Sequence, residues 1–217
     1  MPGSSLWLTP PPNTPLYNAL KTLISKTVPK HFPNTKTYDF IPHITLTSDI
    51  DPDAHDHEAQ KWLDGMRLPK GKTGPIKIYI EELEAGEPFV KKLTLKMFKE
   101  SAPLDSLGHL AAICRAVGVE KGDMDKAREW AEKDYLPHLS LMYADIPASD
   151  VESQKSTIEK EIAEVRAELL KSSDDGKNVV CEGGVIVLVP TYKPIDEWEP
   201  IGQRELSHIR WEWPDGE

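Results

Sequence analysis

Cysteine, positive charge and long apolar runs are all scarce in this chain. Cys114 and Cys181 are the only cysteines in 217 residues. Both lie in apolar surroundings, so a reduced intracellular protein is expected rather than a disulfide-stapled one, and a single Cys114–Cys181 bridge stays open. Lysine and arginine number 26 against 36 aspartates and glutamates, a net charge of −10. Binding along a nucleic acid needs a basic face, so no long nucleic acid is expected as a partner, while one small anion in a local site is still allowed. No run reaches the ~18 apolar residues of a transmembrane segment. The start, Met1-Pro2-Gly3-Ser4-Ser5, lacks the basic and apolar regions of a secretory signal. The end, Pro214-Asp215-Gly216-Glu217, matches no lipidation motif. Hydrophobic residues at 39% and charged residues at 29% fit a folded domain, expected here as a soluble cytoplasmic monomer.

What the chain does carry is one short pattern written twice. Pro42-His43-Ile44-Thr45-Leu46 returns as Pro137-His138-Leu139-Ser140-Leu141. Side chains alternate faces along a strand, so His43 and Thr45 share one face and Ile44 and Leu46 the other. The same holds for His138 and Ser140 against Leu139 and Leu141. A His-apolar-Ser/Thr-apolar tetrad arises by chance roughly 0.1 times in a chain of this composition, so two copies have a chance probability on the order of 1%. Two strands that merely bury a satisfied histidine, or two histidines on a zinc ion, are the competing readings. The zinc reading lacks a third and fourth ligand beside either motif.

The elements around the motifs can be read from periodicity. Leu6-Trp7-Leu8 reads as a first strand stopped by Pro10-Pro11-Pro12. Asn13 or Thr14 can cap a helix running to about Pro29 with Leu16, Leu20, Leu23 and Ile24 inward. The first His strand spans about Phe40 to Thr47, and a polar helix is expected over 53–66. Alternation at Ile76, Ile78, Ile80 and at Leu93, Leu95, Met97 predicts a hairpin over 75–99. Helices follow at Pro103–Val117 and Met124–Lys133, then the second His strand, Tyr135–Tyr143. Ser149 with Glu152 resembles a capping box opening the longest helix, broken at Asp174-Asp175-Gly176. Val185 to Val189 and 198–207 predict the last strands. The order His strand, helix, strand pair thus occurs twice. The expected class is α+β, with two antiparallel sheets and helices outside.

The paired motifs suit phosphodiester cleavage. In-line attack at phosphorus needs a base on the incoming water and an acid on the departing oxygen, and two imidazoles can supply both near neutral pH. Thr45 and Ser140 can donate to the phosphoryl oxygens. No cofactor or metal is required by this scheme.

Two His-x-Ser/Thr tetrads in a chain of this length resemble the 2H phosphoesterase superfamily. Ser5-Leu6-Trp7-Leu8-Thr9-Pro10-Pro11 and the His138-x-Ser140-x-x-Tyr143 extension are similar to its fungal and plant cyclic phosphodiesterase branch. The resemblance implies one bilobal, pseudo-twofold domain over residues 1–217 with a central cleft, one motif in each half. It implies a small cyclic nucleotide as substrate: hydrolysis of nucleoside 2′,3′-cyclic phosphates to 2′-phosphates, and of ADP-ribose 1″,2″-cyclic phosphate, a by-product of tRNA splicing. His43 and His138 then form the acid/base pair, Thr45 and Ser140 hold phosphate, and Tyr143 lines the pocket. The cysteine pairs of the plant branch are not evident. Fungal relatives associate with the Golgi, so peripheral attachment there is the alternative location. The competing functions are an RNA-end or 2′-5′ phosphodiesterase of the same superfamily, and a nucleotide-binding module without turnover.

Other residues invite readings of their own. His55-x-His57 among acidic neighbours is read as a solvated helix start rather than a metal site. His31, His109 and His208 are read as surface or satisfied core residues. Lys91, Lys92, Lys96 and Lys99 are read as a solvated strand edge rather than a phosphate patch. Trp198, Trp211 and Trp213 are assigned to core packing, and Trp7 is left between core packing and stacking on a base.

Overall fold

A computed structural model describes residues 3–55, 58–69, 71, 74–99, 106–173 and 176–215. Among the described residues, seven strands and five α-helices follow in the order β1 (Ser4–Thr9), α1 (Pro15–Thr22), β2 (Ile44–Ile50), α2 (Ala59–Asp64), β3 (Ile76–Ala85), β4 (Leu93–Met97), α3 (Leu107–Gly118), α4 (Met124–Lys133), β5 (His138–Met142), α5 (Ala148–Leu170), β6 (Asn178–Val189) and β7 (Gly202–Pro214). The fold is α+β. Strand, helix, strand pair does occur twice, as β2–α2–β3–β4 and β5–α5–β6–β7.

The sheet departs from the expected pair of antiparallel sheets. Hydrogen bonds join the strands in one closed order, β1-β2-β5-β4-β3-β7-β6. One junction, β3 with β7, is parallel, with Ile76 against Ile209 and Ile78 against Trp211. The opposite junction, β2 with β5, is antiparallel and rests on a single registered pair, Ile44 with Leu139. Periodicity reveals strands and hairpins, but a parallel pairing between residues some 130 positions apart leaves no local mark.

Burial explains why the strands read as they do. Leu6 and Leu8 of β1, Ile44 and Leu46 of β2, Leu139 and Leu141 of β5, and Ile186 and Leu188 of β6 enter the main core. The alternate residues Trp7, Val185, Val187 and Val189 form a smaller apolar cluster on the other face, with Ile41 and Trp198 against it. β6 is therefore covered on both sides, which accounts for its nearly unbroken apolar run. Helix α3 lies on β2, and α5 lies against β3 and β6. Trp211 and Trp213 are core residues, as expected.

Several boundaries move for identifiable reasons. β5 begins at His138 directly after Pro137, and β2 at Ile44 two residues after Pro42; a proline has no N–H to give a ladder. Thr14 caps α1 by accepting from the Tyr17 amide at 3.3 Å. Ser106 caps α3 through the His109 amide; Pro103 and Leu104, the expected start of this helix, lie outside the described residues. The Ser149–Glu152 capping box does not form. The chain enters α5 at Ala148 behind Pro147, so Ser149 is already helical and its hydroxyl turns to Asp150. The expected 53–66 helix is a 3-10 turn at Pro52–Ala54 followed by the shorter α2. Asp174 and Asp175, the expected helix break, are outside the described residues.

His55 is not solvated. It is 7% exposed and its Nε2 lies 3.0 Å from the Ser4 hydroxyl, so it ties the 52–55 turn to β1; His57 is outside the described residues. His31 faces Glu161 at 3.2 Å. Cys114 and Cys181 are both buried and free, so no bridge joins them. No helix among the described residues is long and apolar enough to cross a membrane.

Candidate active site

The single Ile44–Leu139 pair sets the geometry. One residue either side of it lie His43, immediately before β2, and Thr45 on β2, with Ser140 and His138 on β5. All four point away from the main core, because their neighbours Ile44, Leu46, Leu139 and Leu141 occupy it. The two motifs are thus brought back to back along one seam. His43, Thr45, His138, Ser140 and Tyr143 all line one cleft of about 180 Å³. Every residue singled out from the sequence for this site is there.

Each imidazole is held in the same way. His43 Nδ1 is 2.7 Å from the Ile41 carbonyl, and His138 Nδ1 is 2.9 Å from the Leu136 carbonyl. A carbonyl only accepts, so each Nδ1 carries the proton and each neutral ring offers its Nε2 lone pair to the cleft. The proline between acceptor and histidine has a structural reason here. It fixes its own φ and drives Ile41 or Leu136 into extended backbone, which aims the carbonyl at Nδ1. The shared proline is therefore part of the motif.

The surroundings of the two rings differ. His43 is 3% exposed. Trp7 stacks on it with centroids 3.6 Å apart and planes 10° from parallel, and Phe40 meets it edge-on. The Tyr143 hydroxyl donates to His43 Nε2 across 3.3 Å. Burial lowers the His43 pKa to about 3; the Ile41 hydrogen bond opposes this, and the nearby His138 adds to it. His138 is half-buried, and burial also lowers its pKa, against the Leu136 hydrogen bond, with Lys91 lowering and Glu84 raising it. Burial pushes the Tyr143 phenol up, so it remains a donor. Both imidazoles are neutral at pH 7, and protonating one disfavours protonating the other.

The hydroxyls are not equivalent either. Ser140 Oγ donates to the Val90 carbonyl at 2.8 Å. Val90 belongs to a 3-10 turn, Phe89–Lys91, between β3 and β4. Thr45 lines the cleft beside Trp7, its registered partner on β1. The remaining wall is built by Trp130, Asp134, Tyr135 and Leu136, where α4 delivers the chain to β5.

Four features of the site are not in the motif reading. Trp7 is a platform under an imidazole, and Phe40 stacks on Tyr143 at 4.0 Å. Trp198, which packs edge-on to both Trp7 and Tyr143, belongs to the same aromatic group. Lys91, read as part of a solvated edge, lines the cleft. A usable signal existed for Trp7: on β1 it alternates with Leu6 and Leu8, so it had to leave the core side. Among the described residues no group of three His, Cys, Asp or Glu side chains is arranged to hold a metal ion.

Known proteins place the chain. The model of the family described as cyclic phosphodiesterase-like protein matches residues 1–206. A Phaeosphaeria nodorum protein named 2′,3′-cyclic-nucleotide 3′-phosphodiesterase is 40% identical over 206 residues, covering 95% of this chain and 100% of that protein. A Neurospora crassa protein of the same name is 33% identical over 220 residues, covering 95% and 100%. A Saccharomyces cerevisiae protein, again so named, is 24% identical over 243 residues, covering 93% and 99%. With nearly its whole length matched, the chain belongs to the cyclic phosphodiesterase-like protein family.

Proposed function

We propose that this protein hydrolyses nucleoside 2′,3′-cyclic phosphates to 2′-phosphates, and ADP-ribose 1″,2″-cyclic phosphate to ADP-ribose 1″-phosphate, by acid/base catalysis with His43 and His138 and without a metal ion. The observation that carries the reading is two backbone-oriented imidazoles offering Nε2 to one cleft. The names of the relatives support the substrate class. One imidazole takes a proton from the attacking water as its oxygen bonds to phosphorus. The other gives a proton to the ribose oxygen as its bond to phosphorus breaks. Each transfer is worth about 10²–10⁴ in rate. The unliganded rings are neutral, so the proton for the acid is taken up as the anionic phosphate binds and raises the imidazole pKa.

Thr45 and Ser140 donate to the phosphoryl oxygens, and Tyr143 closes the pocket over His43. The Ser140 proton is engaged with Val90 beforehand, so substrate must draw it away. The cleft of about 180 Å³ is small beside the ~300–1,000 Å³ of sites that enclose drug-sized ligands, which fits a phosphate and its ring better than a polymer. The chain works in this reading as one bilobal domain, with β2, β1, β6 and β7 in one lobe and β5, β4 and β3 in the other.

The test is turnover of both cyclic phosphates with EDTA present, with the products identified by phosphorus NMR. A 2′-phosphate product is expected. A 3′-phosphate product, or loss of activity to EDTA, contradicts the proposal. Cleavage of 2′-5′ oligonucleotides alone favours an RNA-processing role, and tight binding without turnover favours a binding module.

A further inference from the structure

The four lysines near β4 have different fates in the folded chain. Lys92 is buried and donates to the Glu87 carbonyl. Lys96 pairs with Glu82 at 3.2 Å and Glu84 at 3.5 Å. Lys99 donates to the Glu132 carbonyl at 2.8 Å. The Lys91 side chain has no hydrogen-bond or ion-pair partner among the described residues. It lines the cleft with His138 and Ser140, and it also lines the adjoining groove of about 570 Å³ that includes Pro88, Leu136 and Pro137. It is the one Lys or Arg on the described wall of the cleft. Its position is well braced: the Lys91 amide donates to the Pro88 carbonyl, the Gly86 amide donates to the Lys92 carbonyl, and Val90 between them anchors Ser140.

The charge balance of the reaction gives this lone cation a task. A cyclic phosphodiester is a monoanion. Opening the ring with water yields a monoester whose second proton leaves with a pKa of about 6, so the bound group moves toward −2. The imidazole protonated on binding gives its proton up to the leaving oxygen, so Lys91 is the positive charge on the described wall of the cleft that persists as the ring opens. An ammonium already paired with a carboxylate could not answer that change, and Lys91 is not so paired.

We propose that Lys91 contacts the phosphoryl oxygens and reads their charge, binding the ring-opening transition state and the dianionic monoester more tightly than the cyclic monoanion. The proposal rests on the cyclic-phosphate reading above. It predicts a particular split. Charge that matters only as the ring opens affects kcat and product affinity, and leaves KM for the monoanion nearly unchanged.

The experiment compares wild type, Lys91→Met and Lys91→Arg at pH 7.5. It measures kcat and KM for adenosine 2′,3′-cyclic phosphate, and the calorimetric Kd for adenosine 2′-monophosphate. In Lys91→Met, kcat and 2′-monophosphate affinity should each fall by roughly 10- to 100-fold, the scale of a lost charged contact, with KM changed less than about 3-fold. Lys91→Arg keeps the charge and should recover most of both. Unchanged kcat and product affinity in Lys91→Met overturn the proposal. So does a Lys91→Arg variant as impaired as Lys91→Met, because the shape of the turn and not its charge would then be responsible. Wild type that turns over the cyclic nucleotide while Lys91→Met matches it defeats this inference alone. Wild type that neither turns over the cyclic nucleotide nor binds the monophosphate defeats the cyclic-phosphate reading and this inference together.

Discussion

A histidine sealed under a tryptophan should make this protein sensitive to mild acid, and the size of the effect can be worked out. His43 is 3% exposed, stacked on Trp7, and has its pKa lowered to about 3. In the unfolded chain the ring returns to about 6.5. Between those values the unfolded chain holds a proton that the folded chain does not, so stability is complete above about pH 6.5 and falls as the pH drops through the window. From pH 8 to pH 5 the loss assigned to this one ring is about 2 kcal/mol. For a domain of this size that corresponds to roughly 4–8 °C in Tm. Urea or thermal unfolding of wild type and His43→Asn at both pH values isolates the term, since an Asn amide can keep the bond to the Ile41 carbonyl but does not titrate. Carboxylates with lowered pKa, such as Asp123, Glu129 and Glu161, contribute equally to both proteins and at lower pH. Wild type should lose about 2 kcal/mol more than the variant. Equal losses, within about 0.5 kcal/mol, would refute the buried neutral ring.

Other consequences are as direct. Trp7→Ala removes the platform and leaves a cavity beside His43, and should cost about 3–5 kcal/mol in urea unfolding as well as activity; a loss under 1 kcal/mol contradicts the packing. Gly86→Ala places a Cβ 2.5 Å from the Lys91 carbonyl, so the 86–92 turn must shift and take Val90 and Lys91 with it. Its kcat should fall while far-ultraviolet dichroism stays native, and wild-type kcat would show that the turn is not needed. The pH profile of kcat/KM should be bell-shaped, with both macroscopic values on the acid side of ~6.5, because both imidazoles are depressed in the free protein. A plateau extending to pH 8 would contradict that.

The parts of this molecule legible in the sequence are those with a short-range cause. Alternation at Ile44, Leu46, Leu139 and Leu141 fixes which face of each His strand enters the core, and so which side chains face the cleft. Helix α4 is found at its predicted bounds, Met124–Lys133, because Asp123 caps it and its apolar stripe is regular. What escaped depends on distant partners. The parallel junction of β3 with β7 closes the sheet without any local pattern. His55 reads as solvated until Ser4 is found beside it. The lysine strip looks uniform because spacing along a strand cannot tell which ammonium meets a carboxylate and which meets a cleft. The proline of each motif was visible, but its part in aiming a carbonyl at Nδ1 required the two hydrogen bonds to be seen together.

The central claim is that the two imidazoles act on one phosphate. The measurement closest to it is steady-state hydrolysis of a nucleoside 2′,3′-cyclic phosphate by wild type, His43→Ala, His138→Ala and the double variant, each first shown to be folded by circular dichroism. Each single variant should lose at least about 10² in kcat, and the double variant should lose far less than the product of the two, since an acid and a base in one step fail together. A single variant within about tenfold of wild type, or losses that multiply fully, would contradict a shared site.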